Sequence, residues 1–150
     1  MEPITQLKIA VCSDHAGFEL KNKILDYLKT KNPMAIKDFG TYSDMPADYP
    51  DYAHPLAVAV ERGDFDFGIA FCGTGNGINM TINKHQGIRG ALCWMPELAE
   101  LARRHNNANV LSIPARYLAC ELTVSIVEKF LSSDFDGGRH QARIEKMRCD

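Results

Sequence analysis

The stretch Phe67-Gly68-Ile69-Ala70-Phe71-Cys72 runs without a polar side chain into Gly73-Thr74-Gly75-Asn76-Gly77. An apolar run this short, closed by turn residues, is the kind of strand buried on both faces of a parallel sheet. The chain on either side alternates in the same manner. Residues 7–12, 34–39, 88–93 and 109–113 read as four further strands. In residues 16–31, Leu20, Ile24, Tyr27 and Leu28 recur at helical spacing, and Asn32-Pro33 ends the pattern because the residue before proline avoids the α region. After a loop at 40–51, Ala53, Leu56, Ala57 and Val60 mark a second helix, closed by Arg62-Gly63. A short helix follows the glycine turn, and Pro96 opens another that carries Leu98, Leu101 and Ala102. Residues 118–131 form a last helix whose apolar arc (Leu122, Val124, Ile126, Val127 and Phe130) is broad enough for the sheet and for a second subunit.

Strands alternating with helices predict an α/β fold: a three-layer, Rossmann-like, doubly wound sheet of five parallel strands. The 150 residues make one domain, 1–150. Gly137-Gly138 sets off a basic C-terminal arm within 134–150, with Arg139, His140, Arg143, Lys146 and Arg148.

Composition narrows the function classes. Hydrophobic residues at 45% and charged residues at 24% exclude a disordered chain. A net charge of -2 argues against a nucleic-acid partner, and no apolar run approaches the ~18 residues of a membrane span. Five cysteines, an odd count without a C-x-x-C pair, and no visible export signal predict reduced thiols in the cytoplasm. Cysteine and histidine nowhere cluster at zinc-ligand spacing, so no metal is expected. His54 and His85 have no supporting company and read as surface or structural residues.

Ligands of an open parallel sheet sit at the carboxyl ends of its strands, and three features are expected there. Cys12-Ser13-Asp14-His15-Ala16-Gly17 ends the first strand. Asp14 is either a cap for the next helix or half of an acid–imidazole pair that orients hydroxyls and moves protons. Cys72 precedes a turn of alternating glycines, Gly73, Gly75 and Gly77. It has neither the Walker A ending nor the dinucleotide spacing, but its converging N–H groups form a nest for an anion or an oxyanion. A helix N-terminus beside Cys72 should lower its thiol pKa. His105-Asn106-Asn107 ends the helix begun by Pro96, with His105 continuing the apolar stripe. Arg139 and Arg143, four apart, share a helical face and could grip one phosphate, and Arg116 follows the fifth strand.

Ser13-Asp14-His15-Ala16-Gly17, Asp48-Tyr49-Pro50, Cys72-Gly73-Thr74-Gly75, Asn83-Lys84, Gly87-Ile88-Arg89, Arg104-His105-Asn106, Asn109-Val110-Leu111 and Gly137-Gly138-Arg139-His140 occur in this order over nearly the whole chain. As a set they resemble the type B ribose-5-phosphate isomerases, in the sugar-phosphate isomerase family that also holds the LacA and LacB subunits of galactose-6-phosphate isomerase. The resemblance implies interconversion of ribose 5-phosphate and ribulose 5-phosphate through a cis-enediolate, with no metal and no cofactor. It implies a homodimer or homotetramer with active sites shared between subunits. It assigns Cys72 to the proton at C2, His105 to the ring oxygen, Asp14 or another acceptor to the anomeric proton, and Thr74 to shuttling or steadying the hydroxyl protons. The enediolate falls to the N–H groups of Gly73, Gly75, Asn76 and Gly77, sugar hydroxyls to Tyr49 and Asn106, and phosphate to His15, Arg116, Arg139 and Arg143. One branch of the family uses a glutamate after the glycine turn. Here Gly77-Ile78-Asn79 holds no carboxylate, which points to the thiol branch. A hexose 6-phosphate (allose or galactose) isomerase of the same family is the alternative, and a flavodoxin-like phosphate-binding module without turnover is the rival from another class.

Overall fold

The structure is a computed structural model describing residues 2–149. Met1 and Asp150, which the expected domain and arm include, lie outside the described residues. Five strands, β1 (Lys8–Ser13), β2 (Ala35–Asp38), β3 (Phe67–Cys72), β4 (Gly90–Leu92) and β5 (Val110–Pro114), pair only in parallel, in the order β2-β1-β3-β5-β4. The helices are α1 (Phe18–Thr30), α2 (Tyr49–Glu61), α3 (Asn76–Ile82), α4 (Pro96–Asn106), α5 (Cys120–Leu131) and α6 (Arg139–Glu145).

The pleat sorts the core into two layers. Ile9, Val11, Ile69, Phe71, Leu111 and Ile113 project to one face and pack under α1, α4 and α5. Ala10, Cys12, Ala70, Cys72 and Val110 project to the other, under α2 and α3. The three-layer α/β expectation therefore holds, with Cys72 on the α2/α3 side. The strand order reverses between β1 and β3, so the topological switch point lies where Asp14 and Cys72 end their strands. Among the described residues, no helix is long and apolar enough to cross a membrane.

Three local features differ from expectation. Helix α2 starts at Tyr49, before Ala53, because Pro50 fits a first helical turn whose N–H groups have no partner in any case. Strand β4 is shorter than 88–93. Beyond its three residues Arg89 N–H turns to Asn109 Oδ1 (2.8 Å), and Asn83 bonds both backbone groups of Gly90 (2.9 and 3.0 Å), closing part of the sheet edge. The apolar arc of α5 is largely used within the chain: Thr123, Ile126, Val127, Phe130 and Leu131 are buried, and Leu122 remains 39% exposed.

Candidate active site

The carboxyl edge at the switch point is built largely from backbone. Phe71 O accepts Asp14 N–H (3.2 Å), which ties the end of β1 to β3. Asp14 is buried, and its Oδ1 accepts Gly17 N–H (3.0 Å) just ahead of α1. Gly17 itself is obligatory: a Cβ there would stand 2.6 Å from Phe71 Cβ and 2.8 Å from its carbonyl oxygen. His15 Nδ1 lies 3.0 Å from Ala47 N and 3.1 Å from Ala47 O, so the ring is pinned to the loop leading into α2.

After Cys72 the chain turns through Gly75 in the left-handed region, φ 75°, where a Cβ would also press on Ile113 and Pro114 at 3.1 Å. The backbone N–H groups of Ile78, Gly75 and Thr74 favour the anionic form of the Cys72 thiol. Thr74 Oγ accepts Asn76 N–H (3.3 Å), and both residues are exposed. Arg116 closes the other side of the turn. Its N–H donates to Gly73 O (3.1 Å), and its guanidinium lies 3.0 Å from where a Gly73 Cβ would stand. The Tyr49 ring covers Gly77, with its hydroxyl 2.8 Å from the corresponding Cβ position.

The electrostatics of Cys72 correct the sequence reading. Burial pushes the thiol above its ordinary value, the Asp14 carboxylate adds to that, and the three N–H donors pull back without winning. Cys72 is 4% exposed. The expected lowering counted the N–H groups but not the desolvation of a side chain at the end of a fully covered strand.

His105 is also corrected. It is expected at the carboxyl edge with Cys72, but α4 starts near the carboxyl end of β4 and runs back along the sheet, so His105 and Asn106 sit at the amino edge. There Arg89 Nε donates to the carbonyls of Asn106 (3.1 Å) and Asn107 (2.9 Å) and holds the end of α4. Asp136 N–H donates to Arg104 O (2.9 Å), and its carboxylate takes Nε and Nη2 of Arg104, each at 3.2 Å. This brings α6 against α4, so that His140 stacks on His105 with centroids 4.3 Å apart and planes 10° apart. Burial, then the nearby charges of His105, Arg139 and Arg143, hold the His140 pKa below its ordinary value. Arg139 and Arg143 are both on α6, as their spacing predicts, and both are exposed. His105 and Asn106 line a groove of about 890 Å³ between β4, α4 and the C-terminal arm, and Cys72 does not.

One chain thus carries two separate groups. Asp14, His15, Tyr49, Cys72, Gly73, Thr74, Gly75, Asn76, Gly77 and Arg116 gather at the carboxyl edge. His105, Asn106, Arg139 and Arg143 gather at the amino edge, with His140 and Asp136 beside them. The sequence reading gave no role to Asp136 or to Lys21. Lys21 is fully buried, with Asp38 oxygens at 2.7 and 2.8 Å and Thr41 O at 2.6 Å. The backbone of that loop pairs with Ser13 on both sides, Gly40 O accepting Ser13 N–H (2.7 Å) and Thr41 N–H donating to Ser13 O (2.8 Å). A lysine beside the Leu20–Ile24 stripe was the available signal.

A family model described as Ribose/Galactose Isomerase matches residues 9–147. The chain is 45% identical to ribose-5-phosphate isomerase B of Escherichia coli over 140 residues, 93% of each chain. A crystal structure of a ribose 5-phosphate isomerase from Thermotoga maritima superposes with TM-score 0.92 at 50% identity, over 94% of this chain and 97% of the other. Ribose-5-phosphate isomerase B from Mycoplasma genitalium, solved with bound ribulose-5-phosphate, superposes with TM-score 0.88 at 44% identity, over 93% of both chains. By motif, sequence and fold, the chain belongs to the ribose/galactose isomerase family.

Proposed function

We propose that this chain interconverts ribose 5-phosphate and ribulose 5-phosphate, and that each active site is completed by two copies of the chain. The observation that carries the reading is Cys72 at the β1/β3 switch point, at the head of the glycine turn and beside Asp14, whose N–H is bonded to Phe71 O, with the N–H groups of the turn favouring the thiolate. A phosphate-binding module has no use for a thiol placed in this way. The relatives named for ribose 5-phosphate favour the pentose over a hexose 6-phosphate.

The reaction moves hydrogen only. His105 gives a proton to the ring oxygen of the furanose while Asp14 takes the proton of the anomeric hydroxyl, and the sugar opens to the aldehyde. The Cys72 thiolate removes the proton on C2, and the C–H electron pair becomes the C1–C2 double bond of a cis-enediolate. Its negative charge develops on O1, where N–H groups of the glycine turn stabilise it. The proton on O2 passes to O1 with Thr74 as relay, and the thiol returns its proton to C1, leaving the ketone at C2. Tyr49 and Asn106 hold hydroxyls. His15, Arg116, Arg139 and Arg143 hold the phosphate, whose binding energy is spent on the step at C2.

The two edges support the dimer. His105, Asn106 and the α6 arginines lie at the end of the sheet opposite Cys72, so a second copy must bring its amino edge to the first copy's carboxyl edge. A two-fold axis makes both sites at once, in a homodimer or a pair of homodimers. The buried thiol follows suit: an incoming histidine and arginines add to the positive charge that Arg116 brings there. We place the protein in the cytoplasm, where a catalytic thiol stays reduced.

The test is ribose 5-phosphate labelled with deuterium at C2, incubated in ordinary water. An isomerase of this kind releases the label to solvent as ribulose 5-phosphate forms, whereas a binding module leaves the label in place.

A further inference from the structure

His54 and His85, 31 residues apart in sequence, meet away from Cys72, and His85 also borders the groove that His105 and Asn106 line. His54 Nδ1 stands 2.7 Å from His85 Nε2, with ring centroids 5.0 Å apart and planes tilted by 55°. The other nitrogen of His85 is backed by a carboxylate, Nδ1 lying 3.6 Å from Glu61 Oε2. Glu61 is itself fixed, because its Oε1 accepts Gly87 N–H at 2.6 Å. His54 and Glu61 are seven residues apart on α2, two turns of one helical face, and His85 and Gly87 belong to the segment that enters β4.

We propose that His54 and His85 form a binding site for a transition-metal dication such as Ni²⁺ or Zn²⁺, with Glu61 orienting His85. A metal-ligating histidine characteristically donates its second ring N–H to a carboxylate, which fixes the tautomer and leaves the ligating nitrogen bare. Glu61 Oε2, at 3.6 Å from His85 Nδ1, is just beyond hydrogen-bond distance and takes that role after a shift of about half an ångström. At 2.7 Å the two nitrogens face each other, so the rings have to turn as well as part for both nitrogens to face a common ion, and the 55° tilt starts them on that path. At metal–nitrogen distances of about 2.0–2.1 Å two neighbouring ligands stand roughly 3.0–3.4 Å apart, so the pair has to open by only about half an ångström. His54 is exposed and free to make that movement, and its open side leaves the remaining positions to water. Two imidazoles select Ni²⁺, Cu²⁺ or Zn²⁺ over the oxygen-seeking Mg²⁺ and Ca²⁺.

The other histidine group differs on each of these counts. His105, His140 and Asp136 also bring their ligand atoms within 4.8 Å of one another. Their rings, however, are parallel, so in-plane lone pairs run side by side and do not converge. Asp136 is held by Arg104, and the charges of Arg139 and Arg143 reach His140. That group suits an anion. The α2 pair suits a cation, and an ion there would clamp α2 to the segment that begins the edge strand.

Ni²⁺ titration by calorimetry tests the site, with the full chain carrying His105→Gln and His140→Gln so that the second histidine group is not counted. The expected result is one ion per chain, lost in the added His54→Gln/His85→Gln variant and bound about 10–100-fold more weakly in Glu61→Gln. Mg²⁺ should show no heat of binding at the pair. The thermal midpoint should rise with Ni²⁺ only when both histidines are present, and equal midpoints without metal show that the variants fold. If the double variant does not fold, His54→Gln alone, at an exposed position, carries the same expectation. Equal stoichiometry and affinity with and without the pair, or no midpoint shift in the parent, would mean a histidine–histidine hydrogen bond and nothing more, and would overturn the proposal. Sugar turnover is not a readout, so the outcome stands whether or not the isomerase reading does.

Discussion

The carboxyl edge and the amino edge of this sheet are built by opposite means. At the carboxyl edge the groups that matter are buried or are backbone: the Cys72 sulfur, the N–H groups of Thr74, Gly75 and Ile78, and the Asp14 carboxylate bonded to Gly17. At the amino edge they are side chains: a half-buried His105 and an exposed Asn106 at the end of α4, and the exposed Arg139 and Arg143 on α6. A group that must attack a C–H bond gains from a rigid, dehydrated cradle, because fixed dipoles act most strongly where water is excluded. A group that must find a dianionic phosphate gains from exposure and charge, because it has to meet its ligand before holding it. On the proposed mechanism the difference divides the work. The C–H step belongs to the carboxyl edge, while the amino edge brings the phosphate-seeking Arg139 and Arg143 together with the ring-opening His105. Arg116 and His15 meet the phosphate from the carboxyl side.

That division is open to attack by mutation. Cys72→Ala should lose about 10²–10⁴ in kcat, the range for a positioned general base, with phosphosugar binding retained; steady-state kinetics and calorimetry read the two separately. Arg139→Ala should chiefly raise KM, by about 10-fold or somewhat more, since it removes a hydrogen bond to a charged group worth roughly 1.5–3 kcal/mol. A fall in kcat with unchanged KM would place Arg139 on the wrong side of the division. Asp14→Asn should have the subtlest signature, in the pH profile. The thiol is held above its ordinary value by burial and then by Asp14, so kcat/KM should climb with pH as the thiolate forms. Removing the carboxylate lowers the thiol pKa, and the rising limb should move toward lower pH even as the ring-opening step slows. A limb that stays put would separate Asp14 from the thiol.

Much of the fold was legible because the strands are short and, apart from β2 with Lys37 and Asp38, largely apolar, and most are followed within a few residues by glycine or proline. Cys72 and its glycines were legible for the same reason, since a turn after a fully buried strand can only face the carboxyl edge. The place of His105 was not read, although the signal existed. A helix that follows a strand runs antiparallel to it, and the eleven residues of α4 carry its last turn about 16 Å back down the sheet. The raised Cys72 thiol needed a balance of desolvation against dipoles that no local pattern encodes. The meeting of His54 with His85 had no local sign either, because it depends on how α2 packs against the segment before β4. Lys21 lay in plain view as a lysine next to a buried stripe, and its partner Asp38 ends β2, the neighbour of β1.

Subunit complementation decides whether the two edges make one site. Cys72→Ala and His105→Ala homodimers should each be inactive. Unfolding and refolding them together at equal concentration should return about a quarter of wild-type activity, since half the dimers are mixed and each of those has one intact site of two. A mixture as inactive as its components would contradict the shared site and would place Cys72 and His105 in different reactions or in the same chain's site.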